Sequence, residues 1–170
     1  MARFKRFLVP TDFSPTSEIA FNYALDLAER EGASIHLLHA IEDATFAAAY
    51  PDGLYVELPG LREQLIAEGR RRLEEAVRKC AASDVAATTQ VVVGPPASSI
   101  TAEANERGSD LIVMGTHGRS GFAHLVLGSV AERVLRTAQC PVLTVRDSSR
   151  AADTIAADAV ARRQAAAAAV

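Results

Sequence analysis

Gly115, Gly118, Gly128 and Ser129 are the residues whose types and spacing point most directly to chemistry. They stand as Gly115-Thr116-His117-Gly118, nine further residues, then Gly128-Ser129. The apolar run Leu111-Ile112-Val113-Met114 precedes them, and a helical pattern opens at Val130. A strand end, a glycine-punctuated loop and a helix N-terminus are the parts that hold phosphate through backbone N–H groups. Glycine admits positive φ and lets an anion approach the main chain. The spacing alone suits a plain strand-to-helix turn equally well, with Gly118 and Gly121 serving turn geometry. Ser129 and Glu132 also have the spacing of a capping box, a device for starting a helix. The two readings are compatible, because a helix start attracts anions whether or not a serine caps it.

Pro10, Thr11 and Asp12 form a second candidate group, directly after the first apolar run. Asp12 fits a ligand contact and a turn residue about equally. Of four histidines, His36 and His39 fall in a strand pattern, and His117 and His124 in the glycine loop. No His-x-x-x-His pair or converging carboxylate cluster accompanies them, so no metal site is expected. His117 fits a phosphate donor or a plain exposed loop histidine, and Arg119 is the one cation fixed in the loop. The chain has no Gly-x-x-x-x-Gly-Lys-Ser/Thr loop and no nucleophile elbow. Phosphoryl transfer needs metal ligands, a positioned nucleophile and charge clamps. One candidate acid, Asp12, does not supply them, so these residues suit holding a nucleotide better than cleaving it.

The elements that must position these groups follow from periodicity. Phe7-Leu8-Val9 predicts a first strand, and Ser14-Pro15 a capped helix start. Ala20, Tyr23, Ala24, Leu27 and Ala28 recur at helical spacing up to Gly32, a C-terminal stop. Ile35 to Ile41 predicts a second strand. Residues 42–60, with Pro51, Gly53 and Pro59 and no clean period, predict a long loop. Leu61, Leu65, Leu73, Ala76, Val77 and Cys80 mark a second helix, which Gly69 weakens. Thr88 to Val93 predicts a third strand, and a short helix runs to about Arg107. Leu111 to Met114 is a fourth strand. Val130, Ala131, Val134, Leu135 and Ala138 stripe a last helix, and Pro141 to Val145 is a fifth strand. Strands alternating with helices predict an α/β fold: a parallel sheet covered by helices on both faces. In the order 3-2-1-4-5, Asp12 and Gly115 face one crevice at the switch point, where such sheets bind ligands.

A chain of 170 residues, 49% hydrophobic, predicts one domain. Residues 1–146 carry the pattern. Residues 147–170 are an alanine-rich tail, helical or disordered, with few large apolar residues to anchor it. A net charge of −3 gives no electrostatic case for nucleic acid. Arg70-Arg71-Arg72, beside Glu74 and Glu75, is expected to be a solvated helix face. Cys80 and Cys140 sit in no metal or redox spacing and are expected as reduced thiols. No apolar stretch is long enough for a membrane span and no signal peptide is evident, so a cytoplasmic location is expected.

Val9-Pro10-Thr11-Asp12-Phe13-Ser14, Gly115-Thr116-His117-Gly118-Arg119-Ser120-Gly121, Gly128-Ser129-Val130-Ala131-Glu132-Arg133-Val134-Leu135 and Cys140-Pro141-Val142-Leu143, in that order, resemble the universal stress protein family. The resemblance covers roughly residues 3–146. It implies a doubly wound five-stranded domain of the adenine nucleotide alpha hydrolase-like type, and a homodimer paired through the last strand. The intact Gly-x-x-Gly, nine residues, Gly-Ser pattern resembles the family's ATP-binding branch. By position, Gly115, Gly118, Gly128, Ser129 and the Val130 amide would cradle phosphates. Thr11 and Asp12 would lie near ribose and adenine, Ala40 would meet adenine through its backbone, and Met114 would line the base or ribose. Many relatives have valine where Ala40 stands. The implied ligand is ATP, with Mg2+ or Mn2+ held through the phosphates, and the implied role is a nucleotide-dependent regulatory protein of the stress response. Slow ATP hydrolysis or autophosphorylation, and a nucleotide-independent interaction module, are the alternatives.

Overall fold

Aliphatic and β-branched runs form parallel strands where both faces of a sheet can be buried. The computed structural model describes residues 4–42, 47–49, 55–57, 60–116 and 127–146. In chain order its elements are β1 (Arg6–Pro10), α1 (Pro15–Glu31), β2 (Ser34–Ile41), β3 (Ala47–Ala49), β4 (Tyr55–Glu57), α2 (Leu61–Ala82), β5 (Ala87–Val93), α3 (Pro96–Glu106), β6 (Leu111–Gly115), α4 (Ser129–Thr137) and β7 (Val142–Val145). Five strands form one sheet in the order β5-β2-β1-β6-β7, every pair parallel. Counting only these strands, this is the expected 3-2-1-4-5 order.

Alternation along each strand divides the core between the two faces. Phe7, Val9, Ile35, Leu37, Leu111 and Val113 pack with Ala20, Phe21, Ala24 and Ala28 of α1 and Leu73 and Cys80 of α2. Leu8, Leu38, Ile112 and Met114 pack with Ala97, Ile100 and Ala104 of α3 and Ala131 and Val134 of α4. Each fully buried aliphatic side chain contributes about 1.5–3 kcal/mol. Burial raises the pKa of both Cys80 and Cys140 thiols, which keeps them protonated.

The helix ends follow local chemistry, with one departure. Ser14 caps α1 by accepting the Ser17 N–H at 3.2 Å, and Gly32 ends it at φ 58°. The expected capping box at Ser129 is not formed. The Gly128 N–H donates to the Thr116 carbonyl at 2.6 Å, and the Gly128 carbonyl accepts the first intrahelical bond, from Glu132, at 2.9 Å. Gly128 is therefore the N-cap and Ser129 the first helical residue, with no side chain capping the turn. Leu135, assigned to the apolar stripe by its spacing, is 43% exposed.

The loop expected at 42–60 contains a hairpin, in which Ala47, Ala48 and Ala49 pair antiparallel with Glu57, Val56 and Tyr55. An alanine triplet carries almost no strand propensity, so cross-strand pairing decides the conformation there. Among the described residues no helix is long and apolar enough to cross a membrane, and no group of three or more His, Cys, Asp or Glu is placed to hold a metal. The alanine-rich segment 147–170 lies outside the described residues.

A polar network links β2, β5 and α3, with His36 and Glu103 buried at its centre. His36 Nδ1 lies 2.8 Å from Thr88 Oγ1, and His36 Nε2 lies 3.1 Å from Glu103 Oε1, off the line a hydrogen bond requires. Arg107 donates to Glu103 through Nε and to Gln90 at 2.8 Å. Burial pulls the His36 imidazole below its ordinary value of 6.5, Arg107 adds to that, and Glu103 opposes it. The unfolded chain therefore takes up this proton at a higher pH than the folded one. The contribution to stability is full above about 6.5 and is lost as the pH falls below it. The thermal midpoint of the wild type should fall more steeply than that of His36→Gln between about pH 7.5 and about pH 5.5. Parallel profiles by circular dichroism would show that His36 is not the titrating group.

Candidate functional site

β1 and β6 are neighbours in the sheet, yet the chain leaves them toward opposite faces, β1 into α1 and β6 toward α4. A crevice must open between their C-terminal ends. It is a cavity of about 400 Å³. Pro10, Thr11, Asp12, Ala40, Met114, Gly115, Gly128, Ser129 and Val130 all line it. His117, Gly118 and Arg119 lie outside the described residues.

The loop after β1 is built by its own side chains. Thr11 Oγ1 accepts the Phe13 N–H at 3.0 Å, and Asp12 Oδ1 accepts the Ser14 N–H at 3.0 Å. The turn role expected for Asp12 is thus present while its residue still faces the cavity. Phe13 is held at φ 61°, a left-handed conformation that costs a non-glycine residue about 1–3 kcal/mol. Packing holds it there. Its ring lies 4.4 Å from the His39 ring and under the Arg72 guanidinium at 4.2 Å. Arg72 therefore leaves the solvated face expected for Arg70–Arg72. Arg71 keeps to it, paired with Glu68 at 2.8 Å and with Glu75 at 2.6 Å.

β2 supplies the opposite wall. Its even-numbered residues bond toward β1, as Ser34 N–H does to Lys5 and as Leu38 C=O does to Thr11 at 2.8 Å. β1 pairing ends at Pro10 opposite Leu38. Ala40, next in the alternation, consequently presents its N–H and C=O to the crevice. Together they form one donor beside one acceptor.

The β6 side brings a helix N-terminus to the cavity. The Gly128 N–H is committed to Thr116, which leaves the amides of Ser129, Val130 and Ala131 at the uncapped α4 N-terminus, and all three residues line the cavity. Gly115 has a packing role as well. A Cβ there would lie 3.0 Å from Thr16 Cγ2 and 3.1 Å from the Thr16 carbonyl oxygen.

Other lining residues escaped sequence reasoning. Leu65, Glu68 and Gly69 of α2 and Pro96 and Ile100 of α3 reach the cavity from both faces of the sheet. Gly69 was the available signal, since a glycine inside an apolar helical stripe implies a close approach. A Cβ on it would lie 3.0 Å from His39 Cδ2 and 3.3 Å from Val91 Cγ2. Asp12, Glu42 and Glu68 are the acids on the lining, and no lysine or arginine is among its described residues. Hydrogen bonds from Arg71 lower the pKa of Glu68.

The fold and the crevice define a doubly wound α/β protein with a cavity at the switch point. The chain belongs to the universal stress protein family, whose model matches residues 3–146. Universal stress protein YxiE of Bacillus subtilis is 36% identical over 147 residues, covering 84% of this chain and 99% of that protein. The solved structure of MJ0577 from Methanocaldococcus jannaschii superposes with a TM-score of 0.74 at 27% identity, covering 86% of this chain and 98% of that one. A universal stress protein crystallised in complex with cAMP superposes with a TM-score of 0.63 at 27% identity, covering 85% of this chain and 98% of that one.

Gly115→Ala should destabilise the protein by about 1–3 kcal/mol, because the new methyl meets α1 backbone that cannot swing away. Urea denaturation measures this directly. An unchanged midpoint would show that α1 yields at Thr16.

Proposed function

We propose that this universal stress protein binds ATP in the switch-point crevice and acts as a nucleotide-dependent regulatory protein. The observation that carries the reading is the pairing of two complementary features in one cavity. The Ala40 N–H and C=O offer a donor beside an acceptor, and the Ser129, Val130 and Ala131 amides offer an anion site across from them. Adenine presents an acceptor at N1 beside a donor at its exocyclic amine, which matches Ala40. Guanine presents the reverse order and meets like against like. The ribose then falls between Asp12 and Gly115, with Met114 beneath it. The relative solved with cAMP supports an adenine nucleotide as the ligand class.

His117, Gly118 and Arg119 complete the phosphate loop in this reading, as the spacing to Gly128 implies. The carboxylates on the described lining make bare triphosphate a poor guest. Mg2+ or Mn2+ carried on the phosphates would offset that charge, with the protein holding the phosphate oxygens through amides. Hydrogen bonds to a charged group contribute about 1.5–3 kcal/mol each. Several of these, less the entropy of binding, support affinity near micromolar, about −8 kcal/mol.

Ser129→Pro tests the cradle without breaking α4, since proline suits the first helical position and Gly128 is already extended. Calorimetry should show Mg-ATP binding to the wild type, at least about tenfold weaker binding in Ser129→Pro, and GTP weaker than ATP by a similar factor. Ser129→Ala, which keeps the amide, should bind within about threefold of wild type. No binding of any adenine nucleotide by the wild type would sink the reading.

The homodimer is proposed to form along β7. Among the described residues this strand has a partner on one side only, and it exposes Leu143 at 40% while α4 nearby exposes Leu135 at 43%. An apolar edge strand of this kind is a natural site for a second copy. Sedimentation should show a dimer for wild type and a monomer for Leu143→Lys. A wild-type monomer at all concentrations would exclude this edge.

A further inference from the structure

A rung of the sheet is missing at Ala40. Along β1 and β2 the ladder runs from Ser34 N–H to Lys5 C=O at 2.9 Å up to Thr11 N–H to Leu38 C=O at 2.8 Å. Continued by one step, it would join Ala40 N–H to Thr11 C=O. That bond is not formed. The Thr11 carbonyl accepts instead from His39 Nδ1 at 2.8 Å. A carbonyl only accepts, so Nδ1 carries the proton.

The imidazole has two close neighbours. The Phe13 ring lies 4.4 Å from it, tilted by 43°, and α2 passes close to its Cδ2 at Gly69. A methyl at Gly69 would lie 3.0 Å from His39 Cδ2, so a side chain there would push the ring aside by a few tenths of an ångström. His39 is 8% exposed and still lines the cavity. We propose that His39 is a positioning residue: by taking the Thr11 carbonyl it stops the β1–β2 ladder one rung early and keeps the Ala40 N–H available to a bound base. This inference rests on the nucleotide reading for its purpose, but its structural content concerns the ligand-free protein.

The test compares His39→Asn, whose side-chain amide can donate from near the Nδ1 position, with His39→Leu, which is similar in size and cannot donate. The first readout is hydrogen exchange of the Ala40 amide by NMR without nucleotide. Exchange should be slowed about tenfold in His39→Leu, where Ala40 takes up the Thr11 carbonyl, and should stay near wild type in His39→Asn. The second readout is Mg-ATP affinity, expected to drop about tenfold in His39→Leu and to be retained within about threefold in His39→Asn. Gly69→Ala is the companion variant, because it displaces the ring without altering the donor. It should slow Ala40 exchange in the same direction even if the His39 variants fold poorly. Unchanged Ala40 exchange in both His39→Leu and Gly69→Ala, or equal loss of affinity in His39→Asn and His39→Leu, would overturn the proposal. Wild-type protein that binds no nucleotide would defeat the functional reading alone, since the exchange comparison would still decide the role of His39.

Discussion

Parallel pairing between β1 and β6 is the constraint on which the rest of the structure depends. These strands are neighbours in the sheet but far apart in the chain, and each must be followed by a crossover that returns to the sheet's starting edge. Right-handed crossovers from a central pair can only go to opposite faces. Two consequences follow together. Helices cover both faces, so every central strand has to be apolar along its whole length, as Phe7-Leu8-Val9 and Leu111-Ile112-Val113-Met114 are. The backbones also separate at their C-terminal ends, so a cavity exists there whatever residues line it. Core and crevice are thus two outcomes of one topological choice.

Chemistry enters where the ladder stops. Within the sheet each strand consumes the hydrogen bonds of its neighbour. Beyond Pro10 the β2 backbone has lost that neighbour, and at Gly128 the α4 amides have not yet found carbonyls. The crevice is therefore walled by main-chain groups whose direction is fixed by regular structure a few residues away. Such groups would need no side-chain ordering to meet a ligand. Side chains act mainly by deciding which backbone groups stay available. Asp12 and Thr11 tie the β1 loop to itself, while the Gly128 N–H goes to a backbone group, the Thr116 carbonyl.

What was legible in the sequence was what depends on nearest neighbours in the chain. Strand runs, the Ser14 cap and the Gly32 stop follow from local pattern, and the strand order came with the family resemblance. The residues flanking the switch point followed from the same logic. The departures arise where distant pieces compete. Ser129 and Glu132 have the right spacing for a capping box, but the long-range bond from Gly128 to Thr116 starts the helix one residue earlier. Ala47–Ala49 becomes a strand only because Tyr55–Glu57 pairs with it. The α2 wall was missed because an exposed-looking helix gives no sign of which turn faces a cavity. Gly69 marked that turn, and its meaning depended on where His39 and Val91 lie.

The left-handed Phe13 has a consequence for how stability and ligand affinity are linked. The backbone cost of that conformation is met during folding, by the contacts its ring makes with His39 and Arg72. The loop bearing Thr11 and Asp12 thus reaches its shape without a ligand, and a ligand bound there would spend little energy reorganising it. Glycine at position 13 would relieve the backbone cost but lose the ring contacts that fix the loop. Backbone relief and loop definition therefore oppose each other at position 13.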